Sequence, residues 1–161
     1  MRLLVIGILL VCVTGWSAGS GQGTVRVTVA DSAVGNVTRY IYRVENQTKQ
    51  PIVGLRVGFD AASDQPQLRE APIGWTFDAG LPRSSAEAPR GWTLRVVTTE
   101  ESDSIYLDWS SDGDPQWDIA PGTTIGGFSV TLARPSAEYR TARFDALLGN
   151  STHISGAVAR D

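Results

Sequence analysis

Cysteine is nearly absent from this chain: the only one, Cys12, lies inside an apolar N-terminal run. From residue 21 onward neither a disulfide nor a thiolate metal site can form, so the chain must fold without either. Histidine is as scarce. His153, the single one, is too isolated for zinc, which takes several N or S ligands, and it reads as a strand residue with a polar edge. Lysine occurs once, at Lys49, the arginines are scattered, and the formal net charge is -3; without a basic cluster, nucleic acid is not an expected partner. Helical periodicity is missing too, and only residues 142–148, with Phe144, Leu147 and Leu148, fit a helical turn as well as a strand. After the first 20 residues no apolar run approaches membrane-spanning length, and residues 156–161 lack a hydrophobic sorting tail.

What the chain does have begins with Arg2, an unbroken apolar run over residues 3–13 and a small-residue stretch over 15–21. Together these match a secretory signal peptide, so residues 1–20 are set apart and residues 21–161 are expected to form one domain, secreted or periplasmic. Val11 before Cys12 argues against a lipoprotein cleavage site. Roughly 140 residues suffice to bury about two-thirds of the surface exposed on unfolding. The preference for arginine over lysine, with abundant alanine and glycine, points to a GC-rich bacterial genome. All three asparagines, Asn36, Asn46 and Asn150, sit in N-x-Ser/Thr sequons, which are glycan acceptors in a eukaryotic secretory pathway and equally ordinary turn residues.

The organisation is that of short strands. Tyr40, Tyr42 and Val44 alternate with polar residues until the polar turn at 45–50, after which Val53, Leu55, Val57 and Phe59 alternate again. Period-two apolarity on both sides of a turn predicts two adjacent half-buried antiparallel strands. Further strands are expected over residues 24–30, with a turn at 31–35, and over 75–77, 92–98, 104–110, 125–133, 139–147 and 152–159. Loops are expected over 60–73, 78–90 and 111–122, and a turn over 100–103. Eight or nine strands with Gly, Pro and Asp turns predict an all-β fold, a single antiparallel β-sandwich.

Motifs that carry chemistry are few. Residues 15–19 match the G-x-S-x-G nucleophile elbow, but they end the signal peptide, and the elbow needs a strand-to-helix turn and a histidine base. Glu87, Glu100, Glu101, Asp103 and Asp108 could supply the two carboxylates of glycoside hydrolysis, although neighbouring acids on a turn are ordinarily just solvated. Asp112, Asp114 and Asp118 gather carboxylates in one loop, as a calcium site would, and Asp-Gly is also the common composition of tight turns. Among the tryptophans, Trp75, Trp92 and Trp109 are expected mainly to pack, whereas Trp117 sits in a loop and is the candidate recognition platform, with Tyr106 as its companion. No cofactor is implied.

Tyr40-x-Tyr42-x-Val44-x-Asn46-x-Thr48-x-x-Pro51-Ile52-x-Gly54-Leu55, then Gly74-Trp75, then Trp117-x-Ile119-x-Pro121-Gly122-x-x-Ile125-x-Gly127-Phe128-Ser129-Val130, resembles exported immunoglobulin-like β-sandwich domains of bacteria, many of unassigned function. A looser similarity is to bacterial cellulose-binding modules. It departs at Leu55, where such modules carry tryptophan, and at the terminus-linking disulfide that this chain cannot form. The resemblance implies an immunoglobulin-like sandwich acting as a non-catalytic interaction or structural module toward a protein or cell-envelope partner. Polysaccharide binding through exposed aromatics is the alternative, and a small glycoside hydrolase-like enzyme a remote one.

Overall fold

A computed structural model describes residues 23–99 and 102–161. Residues 1–20, expected to be a signal peptide, with the motif at residues 15–19, and Glu100 and Glu101 lie outside the described residues. In chain order the strands are β1 (Val25–Val34), β2 (Val37–Asn46), β3 (Ile52–Val57), β4 (Phe59–Asp60), β5 (Gln65–Pro66), β6 (Ala86–Glu87), β7 (Trp92–Thr99), β8 (Ser102–Ser111), β9 (Thr124–Leu132), β10 (Arg143–Leu148), β11 (His153–Ala157) and β12 (Ala159–Arg160). One helical turn, α1 (Glu138–Thr141), precedes β10. Eight of the strands have five residues or more, as the count of alternating runs predicts. Two five-stranded sheets result, one ordered β12-β1-β2-β9-β6 and the other β11-β10-β3-β8-β7. Pairing is antiparallel except where β12 lies parallel to β1.

The sheets meet on the alternating apolar positions. Tyr40, Tyr42 and Val44 of β2, Phe128, Val130 and Leu132 of β9, Leu107 and Trp109 of β8, and Leu55 and Val57 of β3 are all fully buried. Aromatic rings organise the centre edge-to-face: Tyr42 and Trp109 at 5.9 Å, Trp109 and Phe128 at 5.7 Å, Trp92 and Phe128 at 5.2 Å, the arrangement that ring quadrupoles favour. Buried hydroxyls then tie the core to the segment before β10. Tyr40 accepts from the Ser136 amide at 2.7 Å and donates to its carbonyl at 2.9 Å, and Tyr42 donates to the Tyr139 carbonyl at 3.0 Å. Burial, with Tyr139 and Tyr40 alongside, pushes the Tyr42 hydroxyl well above its ordinary ionisation range, so it remains a neutral donor.

Four local expectations are corrected. The first hairpin turns at Gly35-Asn36, later than residues 31–35 imply, because β1 keeps pairing with β2 through Val34↔Val37 and Gly35 takes φ 61° in the two-residue loop. In β3 the side chain turned inward is Ile52, not Val53: the register shifts between Leu147 and Leu148, leaving Val53 as the extra residue of a bulge. Residues 75–77 form a turn with a single bridge between Thr76 and Gly80, not a strand; Gly74 at φ 73° and Gly80 at φ 72° bend the chain there. The 60–73 loop contains β5 and the fully buried Leu68, whose backbone exchanges hydrogen bonds with Ile105 at 3.0 and 2.6 Å. Within the ambiguous stretch at 142–148, residues 143–148 form strand β10, preceded by α1.

Candidate functional site

The residues singled out in the sequence lie apart. Trp117 is half-buried over one end of the sandwich. Its ring is seated on Gly91, where a Cβ would stand 2.1 Å from Cγ of the indole, and the Arg90 guanidinium lies 4.6 Å from the ring centroid. The Trp117 carbonyl accepts the indole N–H of Trp92 at 2.7 Å. Tyr106 sits on the outer face of the second sheet, beside Phe59 at 5.0 Å and Arg56 at 5.9 Å. Burial raises its hydroxyl above the ordinary value, with Arg56 pulling the other way. Tyr106 pairs with Val97, while Gly91 adjoins the Trp92↔Ser111 pair five positions along β8, about 17 Å away at strand rise. The two rings do not make one patch.

The acidic loop is held by its own turns. Asp112 accepts the Asp114 amide at 3.0 Å, Asp114 accepts the Gln116 amide at 3.1 Å, and Asp118 accepts the Ser111 hydroxyl at 2.7 Å. Among the described residues no three His, Cys, Asp or Glu side chains gather as a metal site. Of the carboxylates considered for hydrolysis, Glu87 pairs with Arg39 and Asp108 with Arg95, and Asp103 is exposed.

A polar row on the outer face of the second sheet was not legible in the sequence. Register sets Ser155, Asp145, Arg56, Asp108 and Arg95 side by side across β11, β10, β3, β8 and β7. Asp145 is an outward-facing carboxylate only 1% exposed. It accepts from Ser155 Oγ at 2.8 Å and His153 Nδ1 at 2.7 Å, with Arg56 at 3.9 Å. Arg95 donates to Asp108 at 2.9 Å. Because Ser155 bonds the carboxylate and not the imidazole, the trio is not a nucleophile relay, and Arg56 stands between the two aspartates. Each of these residues is merely the polar alternate of its own strand, so only the pairing register reveals the row.

The β7 edge of that same sheet is the other feature. β6 and β12, the edges of the first sheet, are two residues long, and short strands are a common protection against unwanted pairing. β7 has eight residues and is an edge. The Asp112 amide bonds the Gly91 carbonyl at 2.9 Å in continuation of the Trp92↔Ser111 register. The ladder to β8 therefore falls at 91, 93, 95 and 97, and Leu94, Val96 and Thr98 turn their N–H and C=O away from the sheet. Its one charged residue, Arg95, is engaged with Asp108. Beside this edge a groove of about 420 Å³ is lined by Trp75, Phe77, Leu81, Leu94 and Val96, and Phe77 is 81% exposed.

No family model and no curated protein matches the chain. Among solved structures, an uncharacterized protein from Nocardia farcinica with an immunoglobulin-like fold is 19% identical, with a TM-score of 0.53 over 81% of this chain and 82% of that one. A GH20 exo-β-N-acetylglucosaminidase from Vibrio harveyi aligns at 11% identity and a TM-score of 0.40, over 87% of this chain but 18% of the enzyme, a likeness too distant to bear on chemistry. Sheet order, core and structural neighbour agree that the chain is an immunoglobulin-like β-sandwich.

Proposed function

We propose that this chain is a non-catalytic interaction module, secreted or periplasmic, that receives an extended protein segment on the β7 edge. The observation that carries the reading is the row of outward backbone groups at Leu94, Val96 and Thr98 beside the Trp75 and Phe77 groove. Strand addition draws affinity from main-chain hydrogen bonds and specificity from pockets for alternate side chains, and both halves are present. An exposed phenylalanine beside an unguarded edge is an aggregation liability unless something covers it. The apolar run at residues 3–13 supports export.

Peptides selected from a random library test the reading. Extended peptides should slow amide exchange at Leu94, Val96 and Thr98 and lose binding in Thr98→Pro, which removes an outward N–H while sparing the β8 ladder. Peptides that bind this variant as well as the native protein sink the proposal. Titration with polysaccharides, followed by tryptophan fluorescence, addresses the carbohydrate alternative; saturable binding lost in Trp117→Ala would favour it instead.

A further inference from the structure

Resting on that edge reading, we infer that the segment paired with β7 is β7 of a second copy, running antiparallel with the two-fold axis at Val96. The backbone parity restricts the choice of register. Only residues 94, 96 and 98 offer both an outward N–H and an outward C=O within the strand. An axis at Val96 pairs Val96 with Val96 and Leu94 with Thr98, so all three residues exchange both bonds with their counterparts. An axis at Leu94 sets Val96 against Trp92, whose N–H already goes to the Pro89 carbonyl at 3.0 Å. An axis at Val97 leaves the outward groups of Leu94 without a partner inside the strand. An axis at Arg95 opposes two arginines directly, which is unfavourable.

Side-chain chemistry agrees with the same register. Thr93 faces Thr99, and Arg95 faces Val97 while keeping its own Asp108 at 2.9 Å, so no like charges stand directly opposite. A two-fold perpendicular to the sheet preserves its faces, so both copies' 75–81 loops lie on one side of a joined ten-stranded sheet. There the exposed Phe77 of each copy can meet the apolar side of the other's β7. The interface is isologous and closed, which ends growth at the dimer.

Sedimentation equilibrium of the purified protein, with charge variants at Val97, tests this. In the Val96-centred register Val97 faces the partner's Arg95, so Val97→Glu should tighten the dimer at low salt. Val97→Lys should weaken it roughly tenfold, two such contacts forming per dimer. Weakening by both variants would place Val97 against itself and overturn the register. A protein that stays monomeric while extended peptides protect Leu94, Val96 and Thr98 overturns the self-pairing and leaves the edge reading standing. A dimer indifferent to both variants and to Thr98→Pro is built elsewhere and also overturns it.

Discussion

Asn46-Gln47-Thr48 and Asn150-Ser151-Thr152 are the same local device in two settings. In each, the asparagine Oδ1 accepts the backbone amide and the hydroxyl of the threonine two residues on, at 2.9 and 2.8 Å in the first and 3.2 and 2.5 Å in the second. Short-range chemistry alone sets that geometry. The surroundings differ. Asn150 is exposed at the β10–β11 turn, whereas Asn46 is fully buried and its Nδ2 donates to the Gln50 carbonyl at 2.8 Å and the Ile119 carbonyl at 2.7 Å. Its own backbone joins residues 122 and 123 at 2.7 and 2.9 Å. One motif shapes a turn; the other also anchors the 119–123 segment to the core.

The comparison is broken most sharply by Asn46→Asp, which points a carboxylate at two buried carbonyls and should cost about 5 kcal/mol near neutral pH. The acid's folded pKa would be raised, so its unfavourable effect is present at high pH and relieved as pH falls, when the neutral form can donate. Native Asp31 runs the opposite way. The hydrogen-bonded Arg140 guanidinium, at 3.0 and 2.7 Å, holds its carboxyl below the ordinary 3.8. Its contribution is complete above the unfolded value and is lost as pH falls through the lowered folded one. Urea titrations of the variant and native protein between pH 7 and 3 should show these opposite trends.

Asn46→Ala should cost about 4 kcal/mol by orphaning the buried carbonyls, and chemical denaturation would read it directly; a cost under about 1 kcal/mol would mean that the segment repacks without its anchor. Thr48→Val removes a hydroxyl that also accepts the Gln50 amide at 3.1 Å and should cost about 2 kcal/mol. Asn150→Ala, made at the exposed twin, should fall below about 1 kcal/mol. The comparison sharpens without a stability measurement when the protein is made in a glycosylating host. Folded, secreted protein should carry glycan on the exposed Asn36 or Asn150 and none on Asn46; mass spectrometry showing a folded chain modified at Asn46 would contradict its burial.

The architecture was legible because burial on one sheet face writes itself as alternation. Tyr40, Tyr42 and Val44 are inside, and so are Phe128, Val130 and Leu132. The bulge at Val53 was not legible, because Ile52 and Val53 are equally apolar and only the partner strand decides which turns inward. Trp75 and Phe77 read as strand residues by composition, yet flanking glycines bend them into the turn that walls the groove. Trp117 announced itself by type, and its neighbours did not: that Gly91 seats it and Arg90 stacks on it follows from tertiary approach. The candidate docking edge lay hidden for a different reason. The sequence of β7 reads as strand in any position, and whether a strand is central or peripheral is a property of sheet order.

The parallel contact between β1 and β12 has a mechanical meaning. Thr28 faces Ala159, Val29 faces Arg160, and the Asp161 amide reaches the Val29 carbonyl at 3.0 Å. A pull applied between residues 23 and 161 acts along these strands in opposite senses, so it shears their hydrogen bonds together instead of peeling them singly. With two residues in β12 that clasp is short. Tension would release it first and bare the stretch of β1 around Thr28 and Val29 that β12 covers.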